Sequence, residues 1–199
     1  YEWGHDNEGS SPLTWSETYR GPGPFSEPET EAIREFCETR AFKTALNYHT
    51  YSNVLIYPWG YESGLLTQDS LIYMEYGMEL TEVNTYGYGT GDETIGYIVN
   101  GASDDWMYGE QSTKNKILAL TPEVGSDEDG FWPDESRIYP LAEENLPANL
   151  HLAWLAGGRM DLTGYELIDT GDGDGFPDPG ETMRMVVHVQ NRGQENADE

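Results

Sequence analysis

Three things are scarce in this chain of 199 residues: cysteine, positive charge and long apolar runs. A single cysteine, Cys37, excludes an internal disulfide, and its place in a helical pattern suits a small buried hydrophobe. Only 10 Lys and Arg stand against 37 Asp and Glu, a formal net charge of −27. That balance argues against nucleic acid or an anionic membrane as partner, and favours cation binding or a salty or extracellular setting. No apolar run approaches membrane-spanning length, which excludes helical membrane insertion. The chain opens on Tyr1-Glu-Trp-Gly with neither an initiator Met nor a leader, as a segment cut from a longer protein would. With 37% hydrophobic and 13% aromatic residues it can nevertheless build a true core, enough for one domain and a fraction.

The most informative stretch runs from Thr44 to Tyr61, Thr-Ala-Leu-Asn-Tyr-His-Thr-Tyr-Ser-Asn-Val-Leu-Ile-Tyr-Pro-Trp-Gly-Tyr. Alternation before His49 and the run Val54-Leu-Ile-Tyr57 closed by Pro58 predict two short buried strands flanking a buried histidine at a strand end. Such a histidine is placed like a ligand, although one imidazole is not a metal site. Upstream, Ser26-Glu-Pro-Glu29 reads as a capping box opening a helix to about residue 40. Ala32, Ile33, Phe36 and Cys37 make that helix's sheet-facing side. Leu71, Ile72, Met74, Met78, Leu80 and Val83 predict a second helix from near Thr67. The Tyr86-Gly-Tyr-Gly-Thr-Gly91 run reads as a mobile or ligand-lining loop.

Lys116-Ile-Leu-Ala-Leu-Thr-Pro-Glu123 predicts a buried strand ending in a carboxylate. A glutamate after four apolar residues is expected to be desolvated, which suits general-base work. Residues 127–134 form an acidic loop interrupted by Phe131-Trp-Pro133. Leu146, Leu150 and Trp154 are spaced as a helical stripe that would pack on the sheet, with Pro147 bending the helix or marking its start. Gly157-Gly158 ends that helix and sets a boundary between domains 1–158 and 159–199.

The segment beyond reads as a short strand, an acidic loop and a longer strand, Met183 to Gln190. Set on the EF-hand pattern, Asp172, Asp174, the Phe176 carbonyl, Asp178 and Glu181 take liganding places, with Thr170 where the first Asp belongs and Asp169 able to compensate. Hard oxygen donors at this density suit calcium, between strands and not between helices; an acidic turn without metal is the alternative.

His49-Thr-Tyr-Ser-Asn-Val-Leu-Ile-Tyr-Pro-Trp-Gly-Tyr61 resembles the segment of zinc metallocarboxypeptidases that carries the third zinc ligand. Ser16-Glu-Thr-Tyr-Arg-Gly-Pro22, the stretch from Tyr97 to Trp106, and Thr121-Pro-Glu123 resemble the same family in the same order. The resemblance covers residues 1 to about 156 and implies an α/β fold, a mixed twisted sheet flanked by helices. It implies zinc at His49, general-base catalysis by Glu123, a substrate-capping role for Tyr97, and substrate contact by Tyr51. It also sets Asp104 at the pocket position that is acidic in family members cutting terminal Lys or Arg. Gly96, Asn100 and Ala102 depart from the family's pattern around Tyr97.

The implied activity is zinc-dependent removal of C-terminal residues from peptides or proteins, in a secreted or extracellular setting. The His-x-x-Glu zinc ligands and the Asn-Arg pair that holds the substrate carboxylate belong, by this resemblance, upstream of Tyr1. The N-terminal half of the domain is thus an expected partner, and this segment alone is expected to be inactive. His5-Asp-Asn-Glu8 fits the bare His-x-x-Glu spacing, but its surroundings resemble a later loop of the family, so it reads as a decoy. Residues 159–199 resemble the start of an immunoglobulin-like module of secreted bacterial hydrolases. Competing readings are a carboxypeptidase-like binding or scaffold module without turnover, and an aromatic, calcium-stiffened carbohydrate-binding surface.

Overall fold

The computed structural model describes residues 1–5, 7–176 and 179–196. They form two compact units, residues 1–153 and 154–199.

The first unit is built on a four-stranded mixed sheet in the order β1-β4-β2-β3, comprising β1 (Thr44–Leu46), β2 (Val54–Ile56), β3 (Gly87–Gly89) and β4 (Leu118–Glu123). Strand β4 is central: it pairs parallel with β1, Leu46 beside Leu120, and antiparallel with β2, Val54 beside Glu123. A strand with neighbours on both edges and helices over the sheet reads as a continuous apolar run, and Ile117, Leu118, Ala119 and Leu120 are all buried. Ile117 and Ala119 meet Cys37, Trp106 and Met107 on one face; Leu118 and Leu120 alternate to the other.

The helices are α1 (Pro28–Glu38), α2 (Ser70–Leu80), the short α3 (Gly91–Thr94), α4 (Ser103–Gly109) and α5 (Ile138–Leu155). On α2, Gly77 is required by packing: a Cβ there would lie 2.5 Å from the Tyr88 ring of β3. Among the described residues no helix is long and apolar enough to cross a membrane.

Several sequence expectations are corrected. The capping box at Ser26 does not form: α1 starts one residue later with Glu27 at its N-cap, and the Ser26 hydroxyl donates to the Glu27 side chain. A capping box forms instead at Thr90 and Glu93, where each side chain meets the other residue's backbone N–H. On α1 only Cys37 is buried, while Ile33 and Phe36 line an open groove of about 670 Å³ with Phe42, Phe25 and Trp106. The supposed mobile run at Tyr86 is strand β3, with Tyr86 buried and its hydroxyl donating to Glu144. Helix α5 runs through Pro147 without starting there, and its register buries Leu141, Asn145 and Leu152. The stripe Leu146, Leu150 and Trp154 therefore faces away from the core, 52–65% exposed.

In the second unit β5 (Met160–Asp169) and β6 (Met183–Asn191) form an antiparallel hairpin, with an irregularity between Leu162 and Gly164. Its register aligns Leu162 with Val189, Tyr165 with Val187 and Leu167 with Met185. All six side chains are exposed, an apolar face on a two-stranded sheet.

The core assignment is checked by equilibrium urea unfolding. Leu120→Ala is expected to lower stability by about 2–5 kcal/mol, as buried leucine truncations do. Leu150→Ala is expected to change it by no more than about 0.5 kcal/mol; comparable losses from both would show that the α5 register is wrong.

Candidate active site

Because β1 and β4 run parallel, the chain leaving β1 stays beside β4 to its end. Asn47 N–H donates to the Leu120 carbonyl and His49 N–H to the Pro122 carbonyl, both at 2.9 Å. His49 and Glu123 thereby form a bridge at the sheet's edge. Their side chains meet: His49 Nδ1 lies 3.1 Å from Glu123 Oε2 and 2.8 Å from the Thr50 carbonyl oxygen. Beyond Glu123 the backbone turns at Gly125, whose φ of 96° a side chain would strain. Its carbonyl accepts from Ser52 and Asn53 N–H at 2.8 and 3.0 Å, closing the loop that carries His49.

Glu123 is 8% exposed, as its position after the apolar run predicts. The imidazole is not buried: the His49 side chain is 64% exposed, because the loop carries it past the end of the sheet and only its Nδ1 edge meets protein. It opens on a cavity of about 600 Å³ lined also by Tyr48, Asn145 and Asn149.

Asp104 and Asp105 occupy the first turn of α4 and are both buried, Asp105 completely. Asp104 accepts from the Thr121 hydroxyl at 3.1 Å and from Asp105 N–H at 3.0 Å. Thr121 lies two residues before Glu123 on β4, so one strand fixes both the Glu123 carboxylate and the partner of Asp104. Asp105 accepts from Gly60 N–H with both oxygens, at 3.0 and 3.1 Å. Behind them stands an aromatic layer: Tyr57 stacks on Tyr73, Tyr73 meets Tyr108, and Tyr108 meets Trp59. Neither aspartate forms an ion pair among the described residues. Burial, opposed by hydrogen bonds and reinforced by the Glu123 charge, raises Asp104 above the usual carboxylate range. Burial, then the Asp104 charge, pushes Asp105 up to about 8.

The other sequence candidates are placed apart. Tyr97 is 59% exposed and lines a cavity of about 450 Å³ with Glu8, Tyr61, Glu62 and Asp92. Tyr51 meets the Phe131 ring edge-on, 5.0 Å between centroids. His5 lies 3.6 Å from Glu2 and edge-on to Tyr61, and no metal-binding group among the described residues includes it. In the acidic loop, Asp169, Asp172 and Asp174 bring ligand atoms within 4.8 Å of one another. Glu181 accepts from Asp172 N–H and Phe176 N–H donates to Asp174, while Asp178 lies outside the described residues. Asp169 accepts from Gly171 and Gly175 N–H.

Sequence reasoning missed Thr121, Asp105 and Phe131. Thr121 was findable as the polar interruption of an apolar strand. Asp105 gives no signal apart from its neighbour Asp104, since its partner is a backbone N–H 45 residues away.

The imidazole nitrogen against a carboxylate oxygen fits a divalent cation in chemistry. Among the described residues, however, no group of three His, Cys, Asp or Glu gathers around His49, so this chain supplies at most part of a zinc coordination set. A histidine and a glutamate thus meet at adjacent strand ends of a mixed α/β sheet, with two buried aspartates close by. The family profile described as zinc carboxypeptidase matches residues 1–148, and the chain belongs to that family. It is 35% identical over 152 residues to carboxypeptidase B of Canis lupus familiaris, covering 73% of this chain and 36% of that protein. It is 35% identical over 161 residues to zinc carboxypeptidase A 1 of Drosophila melanogaster, covering 76% of this chain and 37% of that one. Among solved structures, bovine thrombin-activatable fibrinolysis inhibitor in complex with tick carboxypeptidase inhibitor superposes with a TM-score of 0.61 at 30% identity, over 74% of this chain and 51% of that chain. The fold is carboxypeptidase-like, and the chain spans little more than a third of the length of these curated relatives.

The raised proton affinity of Asp105 has a consequence for stability. Between about pH 4 and 8 the folded chain keeps a proton on Asp105 that the unfolded chain has lost, so stability falls as pH rises through that window. Urea midpoints measured from pH 5 to 9 are expected to decline, by on the order of a few kcal/mol in total. Asp105→Asn should flatten the decline; an unchanged slope in that variant would contradict the assignment.

Proposed function

We propose that residues 1–158 are the C-terminal half of the catalytic domain of a zinc-dependent exopeptidase that removes C-terminal residues from peptides or proteins and prefers Lys or Arg. The observation that carries this reading is the 3.1 Å contact between His49 and Glu123 on a strand that also holds the partner of buried Asp104.

His49 would hold zinc together with ligands from the upstream half of the domain. Bound there, the metal supplies Lewis-acid polarisation of a carbonyl and a water of lowered pKa. Glu123, nearly buried beside His49, takes the proton from the attacking water and returns it to the leaving amine. Tyr97 closes over the terminal residue, a movement its exposure permits. Tyr51, braced by Phe131, contacts the substrate chain. Asp104 lacks a cation of its own, and a terminal ammonium or guanidinium would pair with it in a water-poor site where such a pair discriminates strongly.

The expected partner is the upstream half of the same domain. Strand β1 is an open edge of the sheet, and the apolar groove beside it, lined by Ile33, Phe36 and Phe42, supports that half as its cover. The strong negative charge supports a secreted setting. Residues 159–199 are proposed as the start of a β-sandwich-like domain, supported by the exposed apolar face of the hairpin, with calcium in the acidic loop at Asp169, Asp172 and Asp174.

Zinc analysis of residues 1–199 alone should find no stoichiometric metal; tight one-to-one zinc would overturn the half-domain reading. In the protein carrying both halves, peptides ending in Lys should be cleaved faster than those ending in Phe, and a chelator should abolish both activities. Glu123→Gln should lower kcat by at least about 100-fold, and Asp104→Asn should remove the preference for Lys. Full activity in Glu123→Gln would favour a non-catalytic scaffold role for these residues. For the acidic loop, calcium should raise the melting temperature, and Asp172→Ala with Asp174→Ala should remove the increment; an unmoved melting temperature in the unaltered chain would identify a metal-free turn.

A further inference from the structure

Beside Glu123 stand two consecutive buried carboxylates where one would suffice to pair with a basic side chain. Asp104 and Asp105 stand in the first turn of α4, and their hydrogen-bond donors are neutral: the Thr121 hydroxyl with the Asp105 and Asp104 N–H groups for one, the Gly60 and Tyr61 N–H groups for the other. The titratable groups that face them add negative charge or none. From β4 comes Glu123, from α2 the buried phenol of Tyr73, and from the turn after β2 the phenol of Tyr61. Holding two full negative charges in so dry and cation-poor a place is costly, whereas holding one is not.

We propose that Asp104 and Asp105 carry a single negative charge between them while the pocket is empty, and that Asp105 acts through this shared charge to set whether the pocket takes a basic or a neutral terminal side chain. The proposal rests on the reading of Asp104 as the residue that meets the terminal side chain. A lysine or arginine side chain brings the missing cation: the pair then releases its proton to solvent, both carboxylates ionise, and the complex is neutral but for one charge. A neutral side chain leaves the proton in place and finds a pocket with one charge fewer to desolvate against. Discrimination between the two substrate classes therefore depends on pH, and the dependence belongs to the pair and not to Asp104 alone. The raised proton affinities of both residues agree with this. Asp105 touches no substrate in this scheme; it is a positioning residue, through charge and through its hold on Gly60.

Two measurements test it. In the full 199-residue chain labelled with carboxyl-13C aspartate, NMR titration should show one carboxyl of the pair still protonated at pH 7, with the anomaly lost in Asp104→Asn and in Asp105→Asn. Two carboxylates both ionised by pH 6 in the unaltered chain would overturn the proposal. In the zinc-loaded enzyme, the ratio of kcat/KM for peptides ending in Lys to that for peptides ending in Phe should rise with pH, by about tenfold per unit at its steepest. Asp105→Asn should displace that rise to lower pH by a unit or more, a change that a merely structural role for Asp105 would not produce. A lysine preference whose pH profile Asp105→Asn leaves in place would overturn the shared charge and spare the reading of Asp104. The absence of any lysine preference at every pH would overturn that reading, and the specificity role of Asp105 with it.

Discussion

The arrangement of this molecule follows from the double pairing of β4. Its parallel partner β1 delivers the chain to His49, and its antiparallel partner β2 carries the chain back from the His49 loop, so both ends of the loop are anchored to the strand that ends in Glu123. Backbone hydrogen bonds at fixed spacing set the two side chains face to face, and Gly125 ties the intervening residues down. The imidazole can therefore stand exposed in solvent and still keep a defined edge towards the carboxylate. Register is specified strongly here because the flanking residues of β4 are buried on both faces; slipping by one residue would exchange Ala119 for Leu120 on the side packed against Trp106 and Met107.

The same strand links the stability of the fold to the proposed chemistry. Thr121 is the one partly exposed position in an otherwise buried strand, and its hydroxyl is spent on Asp104. The aspartates sit against a wall of tyrosine and tryptophan rings that excludes water without supplying charge. Burial of this kind raises the free energy of the ionised pocket, and the apolar interior of the sheet has to offset it. A pocket so built gains most from a ligand that brings a positive charge, so the feature that weakens the empty fold is the one that would sharpen recognition.

What could be read from the sequence divides along local and non-local lines. The strands Val54–Ile56 and Leu118–Glu123, the helix Ser70–Leu80 and the carboxylate at a strand end were legible, because apolar periodicity and Pro or Gly punctuation are local signals. The meeting of His49 with Glu123 was inferable only through the family resemblance, since it depends on which strands pair across 74 residues. The failures have physical causes. Ser26 lost the cap because the helix start shifted to Glu27, and the Tyr86 run became a strand because an edge position beside β2 tolerates glycine where Tyr88 must approach Gly77. On α5 the apolar residues are spread round the helix, so the spacing of Leu146, Leu150 and Trp154 was a true period attached to the wrong face.

The exposed surfaces carry the remaining step. Open edge, apolar groove and exposed histidine all belong to unit 1 and lie on or near β1, whereas the opposite side of β4, towards β2 and the aspartates, is closed by aromatic packing. An unpaired edge strand such as β1 is a template for pairing with further structure. The asymmetry assigns the two functions of the proposed enzyme to different sides of one strand. Glu123 and the buried aspartates are held in place within this chain by β4 and α4, while His49 stands at the β1 side. Pocket acidity and metal affinity should then respond independently to changes on the two sides, because Asp104 is fixed through Thr121 and α4, and His49 through the backbone of Leu120, Pro122 and Gly125.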